Sequence, residues 1–411
     1  MLSSYLPKRL FSGFSINSIL ASFLFFLVLS SWYILRPIRN DMAAQNEDIL
    51  PLLLGVGAFI MIAINPIYSW IASRNNLKGI FNYCYLFFIA NLISFALLSE
   101  FLSMNESFWF SKFFYIWCNV FSFFVVSIFW VLVINLFRGE ESKVFYGVIA
   151  AGGSIGSFLG SGITKGLSET INTSGITLFS LSSMIFLIFA LILGNYLISK
   201  SNNEISIQQS VGGNSVDAFQ NLITNKQIRY IGLYMYLWTG LMTIHWVTSI
   251  SIINEWSENS ADRIRFFGNI EQVVAMLTVM SQFFLTNLAV RYIGIQKIFV
   301  FYGIIFSAVY IGYAIHPSIS LVFIVTILLR VFEYGYNKPS REILFSQLSR
   351  INRYKSTVLV DTALVRLGDF SGSGFIFIGK FMAIISTQIP LLAIPFSAAL
   401  SLIGAKMARK N

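Results

Sequence analysis

The sequence predicts an all-α membrane protein with twelve transmembrane helices in two parallel six-helix halves, and three observations lead there. Of 411 residues, 56% are hydrophobic and 11% charged, with a mean hydropathy of +0.72. A soluble domain carries about 25% charge, so that class is excluded. The apolar residues gather into twelve runs, each near the roughly twenty residues needed to cross about 30 Å of hydrocarbon. Finally, Asn135 to Gly162 recurs without a gap, at an offset of 212, as Gln347 to Gly374.

The runs lie near 16–35, 50–72, 79–99, 108–137, 144–167 and 175–198, then 228–253, 264–289, 296–315, 318–337, 357–379 and 383–404. The first follows Lys8 and Arg9 but has no small-residue cleavage site, so it is expected to be a retained span and not a signal peptide. Between the sixth and seventh runs stands the longest polar stretch, rich in Ser, Asn, Gln and Gly. It divides the chain into 1–198, a linker at 199–227, and 228–411. Within it, Phe219, Leu222 and Ile223 have helical spacing, which suits either a plain linker or a short amphipathic helix on the interface. The repeat sets the fourth and fifth runs parallel to the tenth and eleventh. Two six-span halves of like orientation, joined on the cytoplasmic side, are the layout of the major facilitator fold.

The net charge of +10 does not point to nucleic acid, because the basic residues stand between apolar runs and do not form one patch. With both termini in the cytoplasm, nineteen Lys and Arg fall inside, against seven outside: Arg36, Arg39, Lys112, Lys165, Arg263, Arg265 and Lys380. Together with heavy Ile, Phe and Asn usage, this predicts a bacterial inner (plasma) membrane. Cys84 and Cys118 lie in apolar runs and are expected to be packing residues. There is no Ser/His/Asp, zinc or nucleotide-hydrolysis signature, so neither an enzyme nor a cofactor is expected.

Charge inside a span is costly and marks a pathway or an internal partner. The repeat is informative here, because Ile149, Ser154 and Ser157 of the first copy become Asp361, Arg366 and Asp369 in the second. At 100° per residue these project at about 0°, 140° and 80°, on one broad face. They are read as either an ion pair or a substrate and coupling site. The tenth run carries Arg330, Glu333 and Asn337 on one stripe, and the eighth carries Glu271, Thr278 and Gln282. Glu271 is a lone carboxylate there, suited to a gate, a proton site or an interface. On the seventh run, Thr239, Thr243 and Trp246 share a stripe near Trp238 and His245. At the end of the first run, Arg36 and Arg39 flank Pro37, where a helix must kink or stop. Two guanidinium groups there suit a phosphate or carboxylate, or else snorkel to the interface. Gly152, Gly156 and Gly160 form a small-residue face for close helix packing.

Leu-Arg-Pro-Ile-Arg-Asn-Asp at 35–41, Ala-Ala-Gly-Gly-Ser-Ile-Gly at 150–156 and Lys-Pro-Ser-Arg-Glu-Ile-Leu-Phe at 338–345 resemble motifs of the nucleotide (ATP/ADP) transporter family of plastids and obligate intracellular bacteria, especially its shorter bacterial members. The resembling segments, Tyr33 to Met42, Phe129 to Gly160 and Asn337 to Asp369, cover about a fifth of the chain. The resemblance implies a major-facilitator-like antiporter exchanging ATP for ADP. It also implies that Arg39 matches the basic residue that serves nucleotide transport, with Arg36 matching the family's arginine. Pro37 and Asn40 stand where the family has acidic residues.

The expected function is thus secondary transport of an anionic solute, nucleotide exchange foremost. Arg36, Arg39, Arg330, Asn337 and Arg366 are expected to bind substrate, while Glu271, Glu333, Asp361 and Asp369 gate or couple. A proton-coupled carrier of another organic solute and a non-transporting scaffold or receptor are the alternatives. Membrane lipid is the expected surrounding, nucleic acid is not a partner, and a monomer is expected.

Overall fold

The computed structural model describes residues 16–74, 77–101, 104–137, 142–200, 224–346 and 360–407. The linker helix at Phe219 to Ile223 lies outside the described residues, as does the side chain of Asp361. Within the described residues the chain is almost wholly helical. In order, the long helices are α1 (Ile16–Gln45), α2 (Leu50–Arg74), α3 (Leu77–Phe101), α4 (Met104–Leu136), α5 (Ser142–Gly166) and α6 (Thr177–Lys200). There follow α7 (Lys226–Trp256), α8 (260–293), α9 (Ile295–Ile315), α10 (319–346), α11 (360–381) and α12 (Ile389–Met407).

Among the described residues, eight of these, α1, α2, α3, α4, α6, α9, α10 and α12, are by themselves long and apolar enough to cross a membrane. The others, α5, α7, α8 and α11, dilute their apolar residues with Gly, Ser, Thr and charge, and they make the close contacts that follow. Two compact units are distinguishable. One gathers 1–42, 67–209 and 259–276, and the other 43–66, 210–258 and 277–411.

The core of the first unit is aromatic. Phe25 stacks on Phe129 at 4.4 Å between centroids, and Phe95 meets Trp117 edge-on at 4.6 Å. In the second unit, fully buried tyrosines keep their hydroxyls satisfied, Tyr302 donating to the Leu329 carbonyl at 2.9 Å and Tyr310 to that of Leu241 at 2.7 Å. Buried phenols require such partners.

Small residues set the helix pairs. A Cβ placed on Gly152, Gly156 or Gly160 of α5 would come within 2.1, 2.2 or 2.5 Å of a backbone carbonyl of α1, at Ser22, Phe26 or Ser30. The repeat mates on α11 behave alike against α7: Gly368 would meet the Tyr236 carbonyl at 2.5 Å and Gly372 that of Gly240 at 2.5 Å. Bare backbone is therefore the contact surface in both pairs.

Three features differ from the sequence expectation. The helix does not stop at Pro37, since α1 runs on to Gln45. Proline leaves the carbonyl four residues back without its helical donor. That carbonyl is Tyr33's; the Thr164 hydroxyl of α5 lies 3.4 Å from it and donates to the adjacent Ile34 carbonyl at 2.8 Å, so a polar group of the neighbouring helix stands at the break. Second, π turns interrupt the later helices at Ser281–Leu285 and Ala289–Ile293 in α8, Glu333–Asn337 in α10 and Val360–Leu364 in α11. The matching stretches of α4 and α5 are regular α-helix. Third, two of these turns answer each other: Gln282 donates to the Tyr334 carbonyl at 3.1 Å and Thr286 to the Gly335 carbonyl at 2.6 Å. Carbonyls displaced from the ordinary ladder are thereby satisfied across α8 and α10.

Candidate functional site

In the first unit the polar groups sit where α1 approaches α8. Arg36 pairs with Glu271 at 3.2 Å; its side chain is 20% exposed and that of the carboxylate 2%. Tyr33, one turn back, receives a hydrogen bond from Arg36 at 3.0 Å, and its ring lies 5.2 Å from the guanidinium carbon. Further along α1, Asp41 accepts from Arg263 of α8 at 2.6 Å, both side chains under 5% exposed. The two pairs have opposite polarity and join the same antiparallel helices. Arg39 rests over the Tyr115 ring of α4 at 5.0 Å and donates to the Asn40 side chain at 3.0 Å. Lys112, buried on α4, stacks on Trp109 at 4.7 Å. An exposed pair, Arg265 with Glu169, completes the group.

The second unit holds three clusters. Arg366 pairs with Asp369 at 3.0 Å, and Thr243 of α7 donates to the same carboxylate at 3.0 Å. Within α10, the Asn337 amide donates to Glu333, Tyr234 of α7 donates to Asn337 at 2.9 Å, and Arg341 lies 3.8 Å from Glu333. All four are buried. Glu333 and Asn337 belong to the π turn, and both are buried. Arg330, also buried, stands one turn earlier on the same helix. On α7, the buried His245 ring meets the Tyr313 hydroxyl at 2.9 Å and Thr326 at 3.4 Å. Finally, Glu47, just before α2, accepts from Lys380 of α11 at 2.6 Å and from Ser251 of α7 at 2.6 Å.

Against the sequence expectations, Glu271 is not a lone carboxylate, because Arg36 has taken it. Gln282 does not continue the Glu271 and Thr278 stripe; those two are buried, while Gln282 is exposed and turned onto α10. The π turn at Val360–Leu364 also overrides the straight-helix angle between Asp361 and Arg366, whereas the Arg366 to Asp369 step lies in regular helix. Arg36, Arg39, Lys112, Lys165, Arg263, Arg265 and Lys380 all lie in helices, not in outside loops. Of the seven basic residues that the charge count assigned outside, six have a carboxylate or aromatic partner: Arg36, Arg39, Lys112, Arg263, Arg265 and Lys380. Charge within or at the edge of apolar runs was the signal that could have found Asp41, Glu47, Arg263 and Lys380. No local pattern announced Tyr115, Tyr234 or Arg341.

No family model matches the sequence, and no curated protein does. Solved structures do match. A POT family transporter in complex with 5-aminolevulinic acid superposes with a TM-score of 0.71 at 10% identity, covering 98% of this chain and 99% of that one. The nucleoside transporter NupG matches with a TM-score of 0.61 at 15% identity over 96% and 99%. The human organic anion transporter MFSD10 (TETRAN) matches with a TM-score of 0.63 at 11% identity over 98% and 100%. The protein has the major facilitator fold and is an integral membrane protein.

Proposed function

We propose that this protein is a secondary transporter that exchanges anionic solutes, nucleotides of the ATP/ADP type in particular, by alternating access. The observation that carries this is the Arg36–Glu271 pair. A guanidinium in a largely desolvated setting needs an anionic partner at each stage, because leaving one charge of a buried pair alone costs several kcal/mol. A phosphate or carboxylate offers the same forked hydrogen bonds as Glu271. Substrate at Arg36 therefore replaces Glu271 as α1 parts from α8 and the released carboxylate gains water, and departure of the substrate restores the pair. An empty carrier is held by the pair, which favours exchange over one-way flow.

Arg39, backed by Tyr115, is the second anion ligand. Arg366 with Asp369, and Arg330 and Asn337 with Glu333, act equivalently in the other unit, with Asp361 as a further coupling group. Likeness in fold to a nucleoside transporter and an organic anion transporter supports this cargo class. The domain division at 1–198 and 228–411 supplies the rocking halves, with the termini in the cytoplasm of a bacterial inner membrane.

The near-complete burial of Glu271 favours one competing mechanism, in which protonation and not substrate releases Arg36. Uptake of labelled ATP into proteoliposomes decides between them. Exchange requires internal ADP, Arg36 and Arg39, and ignores a pH gradient. Uptake that follows the pH gradient and vanishes in Glu271→Gln establishes proton coupling instead, and no uptake by folded protein removes the nucleotide assignment.

A further inference from the structure

At its C-terminal end α8 leaves regular geometry. The π turns Ser281–Leu285 and Ala289–Ile293 flank a single α turn, and Gly294 at φ 85° swings the chain into α9. The irregular end leaves a crevice of about 490 Å³, within the roughly 300–1,000 Å³ of ligand pockets, lined by Leu285, Leu288, Phe301, Phe332 and Tyr336 among others. Its lining is almost wholly apolar, and Leu285, Leu288 and Phe301 are about half exposed. Two basic residues are next in sequence to its lining. Arg291 adjoins the lining residue Tyr292 and lies 5.6 Å from that ring, while Lys297 adjoins the lining residue Ile298, and both are exposed.

We propose that this crevice binds an anionic phospholipid, with one acyl chain along the apolar wall and the phosphate held by Arg291 and Lys297. An open apolar groove in a membrane protein is filled by hydrocarbon at no cost in water contact. What the groove alone does not select is the headgroup, and the flanking charges supply that selection. Basic pockets between transmembrane helices recognise anionic headgroups in this way, and arginine adds forked contact with phosphate. The site also touches the device joining α8 to α10. Leu285 belongs to the α8 turn at 281–285; Phe332 adjoins, and Tyr336 belongs to, the α10 turn whose carbonyls Gln282 and Thr286 hold. A chain seated there therefore lies against both turns. The inference rests on the chain being a membrane protein and is independent of its cargo.

The test uses the purified full chain with spin-labelled phosphatidylglycerol and phosphatidylcholine, reading the immobilised fraction. Two basic residues at a membrane surface predict roughly a thirtyfold preference for phosphatidylglycerol at low salt. That preference should fall to about one in the Arg291→Gln/Lys297→Gln double variant with unchanged thermal unfolding. Leu288→Trp, which fills the crevice, should release both lipids. Glycerol phosphate is the chainless competitor: if it displaces the lipid at equal concentration, the site is a free phosphate site and the proposal is overturned. Equal immobilisation of the two lipids overturns it as well. Because binding is read without transport, failure of the exchange assay leaves this result standing, and the reverse holds.

Discussion

Arg36 of α1 and Glu271 of α8 meet at 3.2 Å, and further towards the C-terminus of α1 Asp41 meets Arg263 of the same α8 at 2.6 Å with the charges exchanged. The two pairs bind one antiparallel helix pair, and each carboxylate is 2% exposed. Reversed polarity gives register, since sliding α1 against α8 brings like charges together.

Breaking one partner should cost more than removing both. Arg36→Leu leaves a buried carboxylate and is expected to destabilise by about 3–5 kcal/mol, with the Arg36→Leu/Glu271→Leu double variant losing much less. Unfolding in detergent measures both. A loss in the double variant equal to the sum of the Arg36→Leu and Glu271→Leu losses would mean that the pair is not coupled.

Exposure should rank the remaining pairs. The side chains are 4% and 2% exposed in Arg263–Asp41, 21% and 18% in Lys380–Glu47, and 44% and 64% in Arg265–Glu169. Arg263→Ala is expected to cost about 3–5 kcal/mol. Lys380→Ala should cost about 1.5–3 kcal/mol, the range for a hydrogen bond to a charged group. Arg265→Ala should cost at most about 1 kcal/mol and nothing at high salt. A different order in a thermal shift series would contradict this ranking.

The repeated glycines should respond alike. Gly156→Ala puts a Cβ 2.2 Å from the Phe26 carbonyl, and Gly368→Ala puts one 2.5 Å from that of Tyr236. Each must push its helix pair apart, at about 1–3 kcal/mol as for other overpacking. Gly374→Ala meets nothing within 4 Å and should gain up to about 1 kcal/mol of helix propensity. Melting temperatures of the three variants test this, and a loss at Gly374 equal to the others would refute the packing explanation.

The facing π turns carry a compensating prediction. A Cβ on Gly335 would lie 2.5 Å from the Ser281 hydroxyl and 3.1 Å from its Cβ. Gly335→Ala should therefore destabilise and Ser281→Gly should rescue it. Thr286→Val, which loses the donor to the Gly335 carbonyl, should cost about 1 kcal/mol. Hydrogen exchange at 281–286 and 333–337 reads the local opening, and absence of rescue would separate the two turns.

Much of the fold was legible because membrane insertion imposes simple rules. Run length follows from hydrocarbon thickness, and the repeat of Asn135–Gly162 is read directly from matching residues. The Arg366–Asp369 pair was legible too, being three residues apart on one regular helix. Arg36–Glu271 was only half legible: each residue stood out as charge within a span, but their meeting joins the first helix to the eighth. The π turns were not legible, since a straight-helix projection assumes a constant 100° step.

By itself, then, the sequence determined that this chain is helical, membrane-spanning and internally duplicated, because those properties depend on composition and local period. Tertiary structure alone decided which charge faces which. Thr164 standing at the carbonyls before Pro37, Arg263 reaching Asp41, and Gln282 and Thr286 holding the α10 carbonyls are contacts between distant segments. Such contacts arise from helix packing in three dimensions, where the need to satisfy each buried polar group selects the partner and no local pattern records the choice.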